Sequence, residues 1–236
     1  MNTVEAVLFD AGGVLLLPDP TVIGPLLAPY GADPSVESLT RAHYAAMRTQ
    51  DFEGEVHDDW RAYDRGYVLA AGVPEHEREE AALILGVTRT AHLWRWPIIP
   101  SVQGLRLLHE AGVPIGVVSN AAGQIESVLR RFGVCQVGDG DGVPVISIVD
   151  STIVGVAKPD PAIFSFALEV LGVKVEHVAY VGDSYANDVV GARAAGMQPF
   201  LLDPYDDHAD ADYPRIKAVS ELLSLAVARK PAAGGR

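Results

Sequence analysis

The chain has 236 residues, enough to bury a substantial core, and its 49% hydrophobic and 21% charged content is that of an ordered soluble protein. Eighteen Lys and Arg stand against 31 acids, a formal net charge of -13, so there is no basic footprint for nucleic acid or an anionic membrane. One cysteine, Cys135, excludes an intrachain disulfide framework and any multi-cysteine metal centre; a reducing cytoplasm is the simplest compartment, and neither a secretory signal nor a bilayer-spanning apolar run is read.

The first apolar run, Val7-Leu8-Phe9, ends on Asp10, and Gly12 and Gly13 then let the chain turn without a Cβ penalty. That pattern places Asp10 at the mouth of a strand. After Pro18-Asp19-Pro20, residues 21 to 97 read as about four helices with no strand. Trp60, Tyr63, Tyr67 and Ala71 recur on one face, and Glu75, Glu77, Glu79 and Glu80 form an acidic first turn behind Pro74.

From Pro97 onward helix and strand alternate. A helix carrying Val102, Leu105 and Leu108 stops at Gly112, and residues 114 to 118 read as a buried strand ending at Ser119-Asn120. A helical stripe of Ile125, Val128, Leu129 and Phe132 precedes a strand at 145 to 149. The segment Asp139-Gly140-Asp141-Gly142 lacks the ligand ladder of a calcium loop and reads as a surface turn. A helix from Pro161 to Gly172, a strand at 178 to 181, a last strand at 199 to 202 and a helix from about 216 to 228 follow. Continuous apolar strands separated by helices predict an α/β fold with a Rossmann-like parallel sheet covered on both faces. Residues 1 to 17 and 98 to 228 are expected to form that core, residues 18 to 97 a helical insertion, and residues 229 to 236 a flexible tail.

In such a sheet, ligands sit beyond the carboxyl ends of the strands. Four of these ends carry usable chemistry: Asp10, Ser119 with Asn120, Lys158 ahead of Pro159-Asp160-Pro161, and Gly182-Asp183 with Asp188 five residues on. Each alone is an ordinary turn, surface or capping residue. Together and in this order they resemble the haloacid dehalogenase superfamily of phosphohydrolases and relatives. The likeness spans nearly the whole chain and rests most heavily on residues 157 to 161 and 182 to 188. The helical insertion looks like that superfamily's first type of cap domain.

The resemblance implies a Mg²⁺-dependent hydrolase of a small phosphorylated metabolite. Asp10 would attack phosphorus and form an aspartyl-phosphate. Asp10, Asp183, Asp188 and the Gly12 carbonyl would hold Mg²⁺, a hard cation suited to oxygen ligands. Ser119 and Asn120 would bind phosphoryl oxygens, and Lys158, one of four lysines, would offset the clustered negative charge.

One position departs from the pattern. Most phosphatases resembling this chain carry a second Asp where Gly12 stands, and general acid-base help of that kind is worth about 10²- to 10⁴-fold. Three readings follow. The chain is a phosphatase biased toward acyl, aryl or anomeric phosphates; Asp19, His43, His57, Asp58 and Asp59 are candidate donors, each read as a solvated surface group. Alternatively it is a 2-haloacid dehalogenase, with Arg41 and Arg48 as carboxylate binders, although Asp183 and Asp188 argue against it. Or it is a weakened phospholigand-binding protein. A phosphonate-cleaving relative that uses a cap lysine is closed off, since no lysine lies between residues 14 and 157. Trp94 and Trp96, beside the return to the main domain, either pack the hinge or line the pocket, with packing the expected role, and His208 is expected to lie on the surface.

Overall fold

Ala6–Phe9 (β1) alternates its side chains between two apolar environments, Val7 and Phe9 on one face and Ala6 and Leu8 on the other, with all four buried. A strand buried on both faces belongs in the middle of a covered sheet, and the computed structural model, which describes residues 3–53 and 60–226, places it there. The other strands are β2 (Leu16–Pro18), β3 (Trp94–Pro97), β4 (Ile115–Ser119), β5 (Cys135–Val137), β6 (Val143–Val145), β7 (Ser147–Asp150), β8 (Val178–Gly182), β9 (Gln198–Leu202) and β10 (Arg215–Ile216). Six of them form one sheet in the order β10-β9-β8-β1-β4-β7, every neighbouring pair parallel. Chain order runs outward from β1 in one direction and then in the other, which opens a crevice at its carboxyl end.

Between β2 and β3 lie α1 (Pro20–Leu27), α2 (Val36–Glu53), α3 (Arg61–Ala70) and α4 (Arg78–Thr88). Ile23, Leu27, Leu39, Met47, Tyr63, Tyr67 and Leu85 belong to a cluster drawn wholly from this stretch, so the insertion has a core of its own. Among its described residues only Tyr44, on α2, belongs to the buried cluster on the sheet. The return half adds α5 (Ile99–Glu110), α6 (Ile125–Arg131), α7 (Ser151–Val154), α8 (Ala162–Leu171) and α9 (Val190–Ala194), which cover the two sheet faces. No helix among the described residues is long and apolar enough to cross a membrane.

Three expectations need correction. The insertion is not purely helical: β2 and β3 pair antiparallel at its stem, Leu17 opposite Trp96. Such short, Pro-bounded strands carry no period of their own, and each finds its partner across the whole insertion. The strand expected at 145 to 149 is two pieces, β6 on β5 and β7 on β4, broken at Ile146, whose N–H donates to the Ile115 carbonyl. The last helix is a short 3₁₀ turn, Val219–Ser224; residues 227 to 236, including the expected tail, lie outside the described residues.

Candidate active site

All seven residues singled out in the sequence, Asp10, Gly12, Ser119, Asn120, Lys158, Asp183 and Asp188, line one cavity of about 400 Å³ at the carboxyl ends of β1, β4 and β8. Lys158 organises it. Its Nζ lies 3.0 Å from Asp10 Oδ1 and 2.7 Å from Asp188 Oδ1, and it donates to the Tyr180 hydroxyl at 3.0 Å. The Tyr180 hydroxyl in turn donates a hydrogen bond to the Val118 carbonyl, 3.0 Å away. Asp188 Oδ2 accepts from the backbone N–H groups of Asp183 and Ser184 at 3.1 and 3.0 Å. Buried charges are tolerated when paired in this way.

Asn120 is tied by its side chain to the Lys158 backbone. Its side-chain oxygen accepts from the Lys158 N–H at 2.7 Å and its amide donates to the Lys158 carbonyl at 3.0 Å. Both ends of the amide therefore meet the Lys158 backbone. Ser119 is buried at the end of β4 and lines the cavity.

One oxygen or other ligand atom from each of Asp10, Asp183 and Asp188 comes within 4.8 Å of the others. Burial pushes the Asp10 carboxyl up to about 7; Lys158 pulls against this, while Asp188 and Asp183 add to it. Asp183 is raised well above the carboxylate range, by burial first and then by Asp188. Burial works to lower the Lys158 pKa, but Asp10 and Asp188 beside it hold it above its ordinary value. Three carboxylates to one lysine leave a buried surplus of negative charge and hard oxygen donors, a set that fits a divalent cation such as Mg²⁺. Gly13 allows the approach: at φ +65°, a Cβ there would stand 1.8 Å from Asp183 Oδ2.

The candidate donors of the insertion fare differently. His43 is buried, not solvated: Nε2 lies 3.0 Å from Asp183 Oδ2 and Nδ1 2.9 Å from the Tyr63 hydroxyl, and burial pushes its pKa down to about 3. Asp19 caps α1 and pairs with Arg95 at 2.7 Å. His57, Asp58 and Asp59 lie outside the described residues. Arg41 forms a bidentate pair with Asp207 and Arg48 stacks over Phe52, so neither joins the cavity. His208 is not on the surface; it is buried, with Nδ1 2.8 Å from the Tyr213 hydroxyl.

Sequence reasoning missed several contributors. Trp60, Arg89 and Gln124 line the cavity with Trp94, and the Arg89 guanidinium lies over the Trp60 ring while pairing bidentately with Asp64. Tyr180 carried a faint signal, a hydroxyl inside an apolar strand. Asp51 carried none: it accepts from Ser184 Oγ at 2.8 Å and from the N–H groups of Tyr185 and Ala186 at 2.6 and 3.1 Å, tying the end of α2 to the π-helical turn Tyr185–Val189.

A family model for haloacid dehalogenase-like hydrolases matches residues 4–196. The chain is 41% identical over 95 residues to haloacid dehalogenase-like hydrolase domain-containing protein 3 of Danio rerio, 40% of this chain and 36% of that protein. It is 31% identical over 157 residues to a phosphoserine phosphatase of Thermus thermophilus, 64% of this chain and 59% of that protein. The chain thus accounts for less than two thirds of either relative. A ribulose-1,5-bisphosphate 5-phosphatase of Halopiger xanaduensis matches at 28% over 198 residues, 81% of this chain and 78% of that one. Among solved structures, a phosphatase from Thermococcus onnurineus superposes with a TM-score of 0.56 at 23% identity, covering 93% of this chain and 96% of that one. A dehalogenase with an intermediate complex gives 0.58 at 19%, covering 98% and 100%. At these identities the two structures share the fold.

Proposed function

The chain belongs to the haloacid dehalogenase-like hydrolase family, and from that membership we propose that it is a Mg²⁺-dependent phosphatase of a small phosphorylated metabolite, acting in the cytoplasm. The observation that carries this reading is the bridge of Lys158 Nζ between Asp10 and Asp188, with the Asp183 carboxylate completing a buried acidic triad around it. A phosphate monoester is an anion, and a carboxylate attacks it only where fixed positive charge offsets the repulsion.

In this reading Asp10 Oδ attacks phosphorus, the bond to the leaving oxygen breaks, and water hydrolyses the resulting aspartyl-phosphate to regenerate the carboxylate. Lys158 holds Asp10 in place and faces the phosphoryl oxygens, with Ser119 donating its hydroxyl to one of them. Asn120 keeps Lys158 on station through its backbone. Asp10, Asp183, Asp188 and the Gly12 carbonyl would hold Mg²⁺, which supplies Lewis-acid polarisation of the phosphoryl group when bound. Residues 18 to 97 act as the cap, closing the cavity over the ester and excluding water. The phosphatase names of the relatives above support the reaction class, and the acidic surplus disfavours displacement of halide from an anionic haloacid.

Phosphate release from 4-nitrophenyl phosphate and acetyl phosphate, with Mg²⁺ and with chelator, tests the reading. Release is expected only with Mg²⁺, and Asp10→Asn should abolish it. Release that persists in Asp10→Asn, or chloride release from a 2-haloacid without Mg²⁺, would overturn it.

A further inference from the structure

The space that a side chain at position 12 would use is filled from the far end of the insertion. A Cβ built on Gly12 would stand 3.3 Å from both Cδ1 and Nε1 of Trp94, inside ordinary van der Waals contact. The indole edge that carries the N–H therefore lies over the chain two residues beyond Asp10. Gly12, Trp94 and Asp10 line the same cavity. Trp94 is fastened at this spot: it stands opposite Pro18 in the β2–β3 ribbon, and its ring meets those of Trp60 and Tyr63 at 6.3 and 6.5 Å. Among the described residues none accepts a hydrogen bond from its Nε1.

We infer that Trp94 is a catalytic residue, whose indole N–H takes the seat left open by Gly12 and donates a hydrogen bond to the oxygen that leaves phosphorus. The inference rests on the phosphatase reading above and deepens it. An indole N–H is a donor only; it stabilises developing negative charge but delivers no proton. A carboxylate oxygen of Asp10 bonds to phosphorus, and the phosphorus–oxygen ester bond breaks with its electron pair on the leaving oxygen. That oxygen departs as an anion hydrogen-bonded to Trp94 and takes its proton afterwards from water, which is left as hydroxide.

His43 does not replace the missing donor, because both of its ring nitrogens are engaged, one with Asp183 and one with Tyr63. The substrate class follows from the chemistry. It is a phosphate whose leaving group is stable as an anion, an aryl or acyl phosphate, set in a cavity walled by Trp60, Trp94, Met47 and Ile125. At about 400 Å³ the cavity has room for such a group beside the phosphoryl.

The test combines a leaving-group series with a stability cycle. Phosphate release is measured for 4-nitrophenyl, phenyl and ethyl phosphate at saturating Mg²⁺, and melting temperature is measured independently of turnover. Trp94→Phe keeps an aromatic ring but loses the pyrrole edge with its N–H. It is expected to slow phenyl phosphate by about 10²-fold, the typical loss for one such donor, and 4-nitrophenyl phosphate far less. Gly12→Asp alone should lower the melting temperature by pressing on the indole. Gly12→Asp with Trp94→Leu should recover part of that loss and hydrolyse ethyl phosphate faster than the wild type. Equal slowing of all three esters in Trp94→Phe, or additive melting shifts for the Gly12 and Trp94 pair, overturns the inference and leaves the phosphatase reading standing. A wild-type chain that releases no phosphate from any ester overturns both.

Discussion

Asp10 is placed where chemistry wants a charge and folding does not. Its carboxyl is raised from 3.8 to about 7, chiefly by burial, with Asp188 and Asp183 adding to the effect. Between those two values the metal-free folded chain holds a proton that the unfolded chain has released, so the contribution of this group to stability falls as pH rises from about 4 to 7 and is constant above. His43, lowered to about 3, has the opposite slope below its ordinary value, so the wild-type curve alone does not isolate Asp10. The difference between wild type and Asp10→Asn does. In chelator, Asp10→Asn is expected to melt higher than wild type at pH 8, with the gap shrinking toward pH 5. A variant that melts lower at pH 8 would show that the Lys158 contact outweighs the burial penalty. At this scale the sequence was legible in position: Asp10, Lys158 and Asp183, each singled out at a strand end, line one cavity. His43 was misread as solvated because its imidazole finds its partners 20 and 140 residues away.

Beyond the stem, α2 carries much of the polar contact between insertion and core. Arg41, Tyr44, Arg48 and Asp51 fall at helical spacing along one stripe. Tyr44 donates to the Gly13 carbonyl at 2.8 Å, Arg41 pairs with Asp207, and Asp51 accepts from three donors at residues 184 to 186. In the sequence such a stripe reads as a solvated face, since polar residues at helical spacing usually meet water. Here Arg41, Tyr44 and Asp51 meet polar partners on the core. Asp51 satisfies backbone donors at the start of the turn that carries Asp188, the work of a capping residue supplied from outside the helix. Asp51→Ala is expected to cost about 1 to 2 kcal/mol, a melting shift of about 2 to 8 °C for a chain of this size, and to raise KM by loosening the insertion over the cavity. Asp51→Asn, which keeps one acceptor, should lose less. An unchanged melting temperature in Asp51→Ala would mean that water replaces the carboxylate at no cost.

For the molecule as a whole, Cys135 reports on global opening: it is fully buried in the sheet-face cluster, and burial pushes its thiol up to about 12. A thiol reagent should therefore label it only through unfolding. Mg²⁺ that binds the folded chain alone slows this by the factor 1 + [Mg²⁺]/Kd, so at 100 times Kd labelling should be about 100-fold slower. The same rate with Mg²⁺ and with chelator would show that the acidic triad binds no ion. Legible in the chain alone were the alternation of strands and helices in the core, the parallel sheet, and the strand-end residues that meet at its carboxyl edge. Local periodicity and the rule that ligands sit at that edge carry such information without knowledge of any distant contact. Long-range packing alone reveals that the stem of the insertion is a ribbon of two strands, that α2 is fastened to the core by its polar stripe, and that Trp94 sits over Gly12. Each of these depends on pairing residues far apart in the chain, and no period or motif in either partner specifies the other.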